Sequence, residues 1–334
     1  MAAQRHLALV SVVVPVYNER ECLAELATRL EAVFTRLRVP YELLFIDDGS
    51  KDGSFALIRS LHHTNKNIQG LRFSKNRGQQ TALCAGFELA KGDVVISMDA
   101  DLQHPPELIP DLLEHWKDGF DVVNTVKTAP ARNSLVKKFF SKWFYATFNA
   151  VSDDLKLRPS SSDFRLLDRK CVVALNQITE RLKFYRGLIE YIGFEQTTVE
   201  FVPPPRLAGT PSFTWRKSMV MGMDALFSFS TIGLKIPFII GLVILALSVT
   251  YFIGAVFIEL FTDHHWVRGW PSLLALSTLF FGAQFLFTGT IGLYVAKIFL
   301  EIKRRPSYFI ADVVGLENSV AKSARPAPEP QLTL

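Results

Sequence analysis

The sequence predicts an α/β fold: a mixed, mostly parallel sheet covered by helices, followed by an interfacial helix and two transmembrane helices. Three observations predict it. Short apolar runs alternate with helical periodicities through the first two-thirds of the 334 residues. Polar clusters follow successive runs, at Pro15–Glu19, Asp47–Ser50 and Asp99–Gln103, where the strands of such sheets end and ligands collect. Two later stretches, Ile236–Ile258 and Pro271–Ala296, carry no Asp, Glu, Lys or Arg over 23 and 26 residues.

Taken in order, Ala8–Val14 is a Val-rich run of strand length. Leu23, Leu26, Ala27, Leu30, Val33, Phe34 and Leu37 recur at helical spacing, which predicts a helix over Glu19–Arg38. Glu42–Ile46 is a second strand. Ser54–His62 reads as a helix, Gly70–Phe73 as a strand, Gly78–Ala90 as a helix, Asp93–Met98 as a strand and Pro106–Trp116 as a helix. A strand–helix alternation of this kind implies a parallel sheet with helices on both faces.

The two charge-free stretches are each long enough, at about 1.5 Å per residue, to cross a hydrocarbon core of about 30 Å. Arg216, Lys217, Lys235, Lys297, Lys303, Arg304 and Arg305 flank them on the outside, and Trp266 and Trp270 edge the short loop between. The positive-inside rule then puts both flanks in the cytoplasm. Trp215, Met219, Val220, Met223, Leu226 and Phe227 repeat at helical spacing beside Arg216 and Lys217, the pattern of a helix lying on lipid headgroups. The expected organisation is a catalytic domain over 1–210, an interfacial region over 211–233, two spans over 234–300 and a partly disordered cytoplasmic tail over 301–334.

The net charge of +5 suits phosphate-bearing substrates and anionic headgroups. No nucleic-acid-binding signature accompanies it, so no nucleic acid partner is expected. Three well-separated cysteines give neither a disulfide framework nor a zinc spacing. The N-terminus lacks the apolar core of a cleavable signal, which keeps the catalytic portion cytoplasmic in expectation.

Chemistry concentrates at the predicted strand ends. Asp99 and Asp101, one residue apart in a turn, offer hard oxygens to Mg²⁺ or Mn²⁺ and leave other coordination positions for phosphate. Asp48 through Gly53 superficially resembles a calcium loop, but the twelfth position is Arg59 rather than a bidentate Glu. No dinucleotide fingerprint, P-loop or nucleophile elbow occurs.

The ordered set Val13–Glu19, Asp47–Ser50 and Asp99–Gln103 resembles the inverting, GT-A type family 2 glycosyltransferases. Asn76–Gln79, Ser162–Arg169, Phe184–Gly187 and two C-terminal spans ending in Arg305-Pro306 narrow the resemblance to the polyprenyl-phosphate glycosyltransferases, such as dolichol-phosphate mannose synthases and bactoprenol glucosyltransferases. It covers roughly residues 9–310. The resemblance implies transfer of a sugar from a UDP- or GDP-sugar to a polyprenyl phosphate, with inversion, by an integral membrane, metal-dependent enzyme. It implies that Pro15, Tyr17, Glu19 and Asp48 bind the nucleotide. Asp99, Asp101 and Gln103 handle the metal, and Asp163 and Asp101 are catalytic. Arg132, Ser134, Lys138, Arg165 and Arg206 are candidates for the acceptor phosphate. A homo-oligomer, a tetramer, is expected on the same ground.

Asp163 stands where the family has its proposed base. A phosphate monoester is already largely dianionic near neutrality, with a second pKa of about 6, so its oxygen needs little deprotonation and Asp163 is expected to matter more for orientation or field. One departure touches the acceptor side. Where many relatives carry Glu-Ser-Lys-Tyr, this chain has Thr210-Pro211-Ser212-Phe213, without the Lys. Two alternatives are a processive polysaccharide synthase and a non-catalytic membrane scaffold. The first expects a Gln-x-x-Arg-Trp motif, which is absent here, and more than two spans. The second expects decayed acidic motifs.

Overall fold

The computed structural model describes residues 5–128, 161–180, 183–204, 269–303 and 305–317, with single positions at 240, 243, 244, 246, 250, 257 and 261. The chain divides into two compact units. The first comprises Met1–Asn149, Asp154–Thr214 and Pro306–Leu334; the second comprises Ala150–Asp153 and Trp215–Arg305.

The first unit is built on strand–helix alternation. β1 (Val10–Val16) runs into α1 (Arg20–Leu37), β2 (Tyr41–Asp47), α2 (Ser54–Thr64), β3 (Ile68–Phe73), α3 (Gln79–Leu89) and β4 (Val94–Ser97). A short 3-10 turn, Pro106–Leu108, leads into α4 (Ile109–Lys117) and β5 (Val122–Lys127). β6 (Ser161–Asp168), α5 (Arg169–Gln177), α6 (Tyr185–Tyr191) and β7 (Gln196–Phe201) follow. β8 (Ile310–Val314) adds the last strand.

These strands form one eight-stranded sheet in the order β7-β5-β6-β4-β1-β2-β3-β8. β4, β1, β2 and β3 are mutually parallel. β6 runs antiparallel to β4 and β5, and β8 antiparallel to β3. The mixed, mostly parallel sheet expected from the sequence is therefore present. β1 is covered on both faces, which is why Val10, Val12, Val13, Val14 and Val16 read as a nearly continuous apolar run. The apolar stripe of α1 packs as its periodicity predicts, with Leu23, Leu26, Ala27, Leu30, Val33 and Phe34 all buried. At Gly86 in α3 an added Cβ would lie 2.1 Å from Val13 Cγ1, so the absent side chain is what lets the helix sit down on the sheet.

From β1 the chain moves outward through β2 and β3, then crosses back to place β4 on the other side of β1. The strand order reverses at this point, and the carboxyl ends of β1 and β4 open a crevice there.

In the second unit, Trp270–Ile302 forms a helix of 33 residues, α7, with Pro271 in its first turn, where a missing N–H leaves no bond unmade. Among the described residues no helix is long and apolar enough to cross a membrane. The two expected spans are therefore not established by the structure. Ile236–Ile258 lies almost wholly outside the described residues, as do several side chains of α7, and the interfacial region 211–233 lies entirely outside them. Within 301–334, expected to be a partly disordered tail, Ile310–Val314 is β8, an edge strand of the sheet.

Candidate active site

The described site residues stand on a row of strand tips linked by hydrogen bonds. At the end of β1, Asn18 takes a left-handed conformation with φ 55°. Its backbone N–H donates to Ser50 Oγ at 2.9 Å, and its Oδ1 accepts from the Lys51 N–H at 2.9 Å. The β1 tip, carrying Pro15, Tyr17 and Glu19, is thereby fastened to the β2 tip. Tyr17 is exposed and Pro15 half-buried, while Glu19 opens α1.

Asp47 and Asp48 end β2 and are both buried. Asp47 Oδ1 accepts the Ser50 N–H at 2.9 Å and so shapes its own turn. Gly49 in that turn has φ 73°, and a Cβ there would stand 2.8 Å from the Lys75 carbonyl carbon; only glycine fits. Asp48 reaches further. Its two oxygens accept the N–H groups of Arg77 at 2.5 Å and Gly78 at 2.8 Å, at the entrance to α3. Burial raises its pKa, and the two backbone donors oppose the rise. The carboxylate expected to bind the nucleotide thus already holds the β3–α3 turn, leaving its remaining lone pairs for a ligand.

The next residue continues the row. Gln79 Nε2 donates to Asp99 Oδ1 at 2.6 Å, so three consecutive residues, Arg77 to Gln79, join the β2 tip to the β4 tip. Asp101 Oδ1 accepts the Gln103 N–H at 3.1 Å across the same turn, in which Leu102 has φ 60°. Gln103 is half-buried in that loop. The Asp99 pKa is driven up, first by burial and then by the charges of Asp163 and Asp101. Negative charge is crowded at this tip.

β6 runs antiparallel to β4, so its first residues stand beside the carboxyl end of β4. Ser97 pairs with Arg165, and Ser97 Oγ donates to the Asp163 carbonyl at 2.7 Å. Asp163, 8% exposed, is gripped by Arg186 from α6. Arg186 Nε donates to Oδ1 at 2.9 Å and Nη2 to Oδ2 at 3.0 Å. Burial works against the Asp163 anion, but Arg186 and then Arg165 overcome it and hold the carboxyl well below the usual carboxylate range.

Arg165 is 3% exposed. Its Nη2 donates to the Ser162 carbonyl at 2.7 Å and lies 3.4 Å from Asp163 Oδ1. Its expected role as a contact for the acceptor phosphate does not follow from this placement, because the guanidinium is turned into the protein. Arg132, Ser134, Lys138 and Arg206 lie outside the described residues.

Gln79, Arg186 and His104 were not assigned roles from the sequence. Arg186 sits in the Phe184–Gly187 run that supports the resemblance, yet only the fold brings it onto Asp163. His104, immediately after Gln103, is wholly buried between Asp99 and Ser162. Burial, followed by the charge of Lys127, pushes its pKa down to about 3, so the imidazole is neutral.

Comparison with known proteins agrees with this arrangement. Residues 11–172 match the family model for glycosyl transferase family 2. The chain is 37% identical over 314 residues to the uncharacterized glycosyltransferase YkcC of Bacillus subtilis (strain 168), covering 94% of this chain and 96% of that protein. It is 35% identical over 304 residues to the SfII prophage-derived bactoprenol glucosyl transferase of Shigella flexneri, covering 90% and 97%. With this likeness running almost end to end, and with the acidic tips of β2, β4 and β6 gathered at one edge, the chain belongs to glycosyl transferase family 2.

Proposed function

We propose that this glycosyltransferase moves a sugar from a UDP- or GDP-sugar to a polyprenyl phosphate, with inversion at the anomeric carbon. The observation that carries the proposal is the juxtaposition of Asp99 and Asp163 on adjacent tips, one carboxylate crowded by negative charge and the other clamped by arginine. The acceptor class is supported by the bactoprenol glucosyl transferase named among the relatives.

The donor set at the β4 tip fits a hard divalent cation, Mg²⁺ or Mn²⁺. Among the described residues no group of three or more His, Cys, Asp or Glu could hold a metal ion. The protein's share is then Asp99 and Asp101, the two-carboxylate arrangement Mg²⁺ uses when substrate phosphates complete its shell. Such an ion, when bound, would offset charge on the departing nucleoside diphosphate.

The chain's own residues do the rest. Tyr17 and Glu19 just beyond β1 and Asp48 just beyond β2 frame the nucleotide, with the Arg77–Gln79 strap fixing the spacing between base and diphosphate ends. Asp163 is not a general base in this scheme. Moving a proton from a phosphate of pKa about 6 to a carboxyl below about 3.9 costs more than about 2.8 kcal/mol. The acceptor phosphate also needs no such help, being mostly dianionic. Asp163 instead orients Arg186, whose side chain remains 35% exposed, toward the anionic reactants. The phosphate oxygen attacks the anomeric carbon as the nucleoside diphosphate leaves from the opposite face.

We also propose that the chain is an integral membrane protein with its catalytic domain cytoplasmic, working as a homo-oligomer. Over its whole sequence α7 has no charged residue from Trp270 to Ala296. Its described side chains include exposed Phe281, Phe285, Ile291 and Ile298, an apolar surface that calls for a non-aqueous cover. A covalent tether of this kind keeps the enzyme where a lipid acceptor resides.

The test is a screen of UDP- and GDP-sugars against undecaprenyl and dolichyl phosphate, with Mg²⁺ or Mn²⁺, using detergent-purified full-length protein. Transfer to intact lipid phosphate, abolished in Asp101→Ala, is expected. Transfer that survives in Asp101→Ala would remove the metal assignment. No transfer to any polyprenyl phosphate, with turnover onto another acceptor, would remove the lipid.

A further inference from the structure

We infer that His104 is a positioning residue: an imidazole that ties the Asp99 tip to the Asp163 tip and sets the distance between the two carboxylates. This rests on the catalytic assignment of Asp99 and Asp163 above.

The geometry is specific. The backbone N–H of Asp99 donates to His104 Nδ1 at 2.9 Å, so Nδ1 carries the lone pair. In a neutral ring the proton is then on Nε2, and Nε2 lies 2.7 Å from Ser162 Oγ, as its donor. Ser162 Oγ also accepts the Phe164 N–H at 3.3 Å. One ring nitrogen thus holds the residue expected to face the metal, and the other holds the residue directly before Asp163.

Packing removes freedom from the bridge. The ring stacks on Phe164, with centroids 5.3 Å apart, and meets Phe201 edge-on at 6.0 Å. Ser97 Oγ supplies the second tie between the same two strands, through the Asp163 carbonyl. Gln79 restrains Asp99 Oδ1 from the opposite side. Asp99 is therefore fixed at its backbone by His104 and at its carboxylate by Gln79.

The chemistry explains why histidine stands here. Neutral imidazole accepts on one side of a rigid ring and donates on the other. Asn reproduces the acceptor without the reach to Ser162. Phe reproduces the stacking without either bond. Losing the bridge lets Asp99 drift against Asp163, and misplacement of about 1 Å at a reacting site costs about 100-fold in rate.

The experiment measures kcat and donor KM for full-length His104→Phe, His104→Asn, Ser162→Ala, and Ser162→Ala with His104→Phe, with Asp101→Ala as control. Unfolding in detergent is followed for each variant. Expected are a kcat loss of about 10- to 100-fold in His104→Phe, a smaller loss in His104→Asn, and donor KM within about 3-fold throughout. Ser162→Ala lowers kcat alone but adds nothing to His104→Phe, because both cut one bridge. If His104→Phe does not fold, Ser162→Ala and His104→Asn carry the test. Full kcat in Ser162→Ala, or additive losses, overturn the inference. Independently of turnover, ¹⁵N NMR of the native protein should show Nδ1 without a proton, as the acceptor of the Asp99 N–H; a proton on Nδ1 overturns the inference. Activity lost in Asp101→Ala but intact in the His104 variants defeats this inference alone. Activity intact in Asp101→Ala defeats the catalytic assignment beneath it.

Discussion

Removing Arg186 tests the buried ion pair that holds Asp163. Arg186 makes two charge-assisted bonds to Asp163, at 2.9 and 3.0 Å, in surroundings where Asp163 is 8% exposed. Breaking a buried pair by deleting one partner costs about 3–5 kcal/mol, because the remaining charge is stranded. Arg165, 3.4 Å from Asp163 Oδ1, shares the load, and Arg186 is partly open to solvent, which puts the expected loss near the low end, about 3 kcal/mol. Asp163→Asn leaves an amide oxygen to accept and a guanidinium able to turn toward water, so about 1–2 kcal/mol is expected. Combining Arg186→Met with Asp163→Asn should then cost less than the sum by about 1–2 kcal/mol. Unfolding in detergent, followed by tryptophan fluorescence, measures all three. Strict additivity would refute the pairing, as would a cost below about 0.5 kcal/mol for Arg186→Met. The pH dependence carries a sign. The folded carboxyl is held below its unfolded value, so the pair's stabilisation is complete above about pH 4 and disappears as pH falls further. In Arg186→Met burial goes largely unopposed, the folded carboxyl's pKa moves up, and the stability lost through Asp163 as pH falls should shrink or reverse.

Other perturbations test other links. His104 is held neutral with a pKa of about 3, against about 6.5 unfolded; its contribution is complete above pH 6.5 and declines as pH falls toward 3. A folded His104→Asn variant should lose less stability between pH 6.5 and 4 than the native chain does. Gly86→Ala drives a methyl onto Val13 and should cost about 1–3 kcal/mol in the same unfolding assay, with little effect on donor KM. Gly49→Ala combines strain at φ 73° with a backbone clash and should raise donor KM, read from initial rates, as well as lower stability. Ending the chain at Arg305 removes β8 and leaves β3 unpaired along one edge; light scattering should show more aggregation on mild heating.

The parallel half of the fold is legible because its local and global signals agree. The stripe of α1 and the buried run of β1 name their own partners, and the first four strands lie within a few residues of where the periodicity puts them. The other half obeys different physics. β6 places Ser162, Asp163 and Arg165 in buried positions, and those polar residues break the apolar pattern that marks a strand. β7 is an edge strand alternating half-buried and exposed positions. β8 pairs with β3 across more than two hundred residues of chain, a distance no local periodicity reports. The site shows the same division. Asp48, Asp99, Asp101 and Asp163 could be picked out because acidic residues after strands carry their own chemical meaning. The residues that tie them together could not. Gln79, His104 and Arg186 take their roles from neighbours supplied by topology. The one sequence signal for His104 is that it directly extends the Asp99–Gln103 cluster.

That division bears on how the transferase reaction is shared among its residues. In the proposed reaction the acceptor arrives as a dianion and needs no proton removed. It needs to be brought close to a second anion, the donor diphosphate, without the protein adding to the repulsion. Two carboxylates on neighbouring tips would make matters worse if both were free. Here Asp163 is bonded by Arg186 with Arg165 behind it, whereas Asp99, with Asp101 beside it, has Gln79 and His104 as its hydrogen-bond partners among the described residues, and Lys127 and Arg186 act on it through space. The protein's direct guanidinium bonds thus fall on the β6 side, and in the proposed reaction the β4 side is where positive charge brought with the donor would sit. Reversing that assignment should therefore be more damaging than weakening either half. Gln79→Arg, which sets a guanidinium against Asp99, should raise the concentration of Mn²⁺ needed for half-maximal transfer by about 10-fold or more, the equivalent of about 1.4 kcal/mol. An unchanged requirement would mean that the charge at the β4 tip is not what the donor's cation answers to.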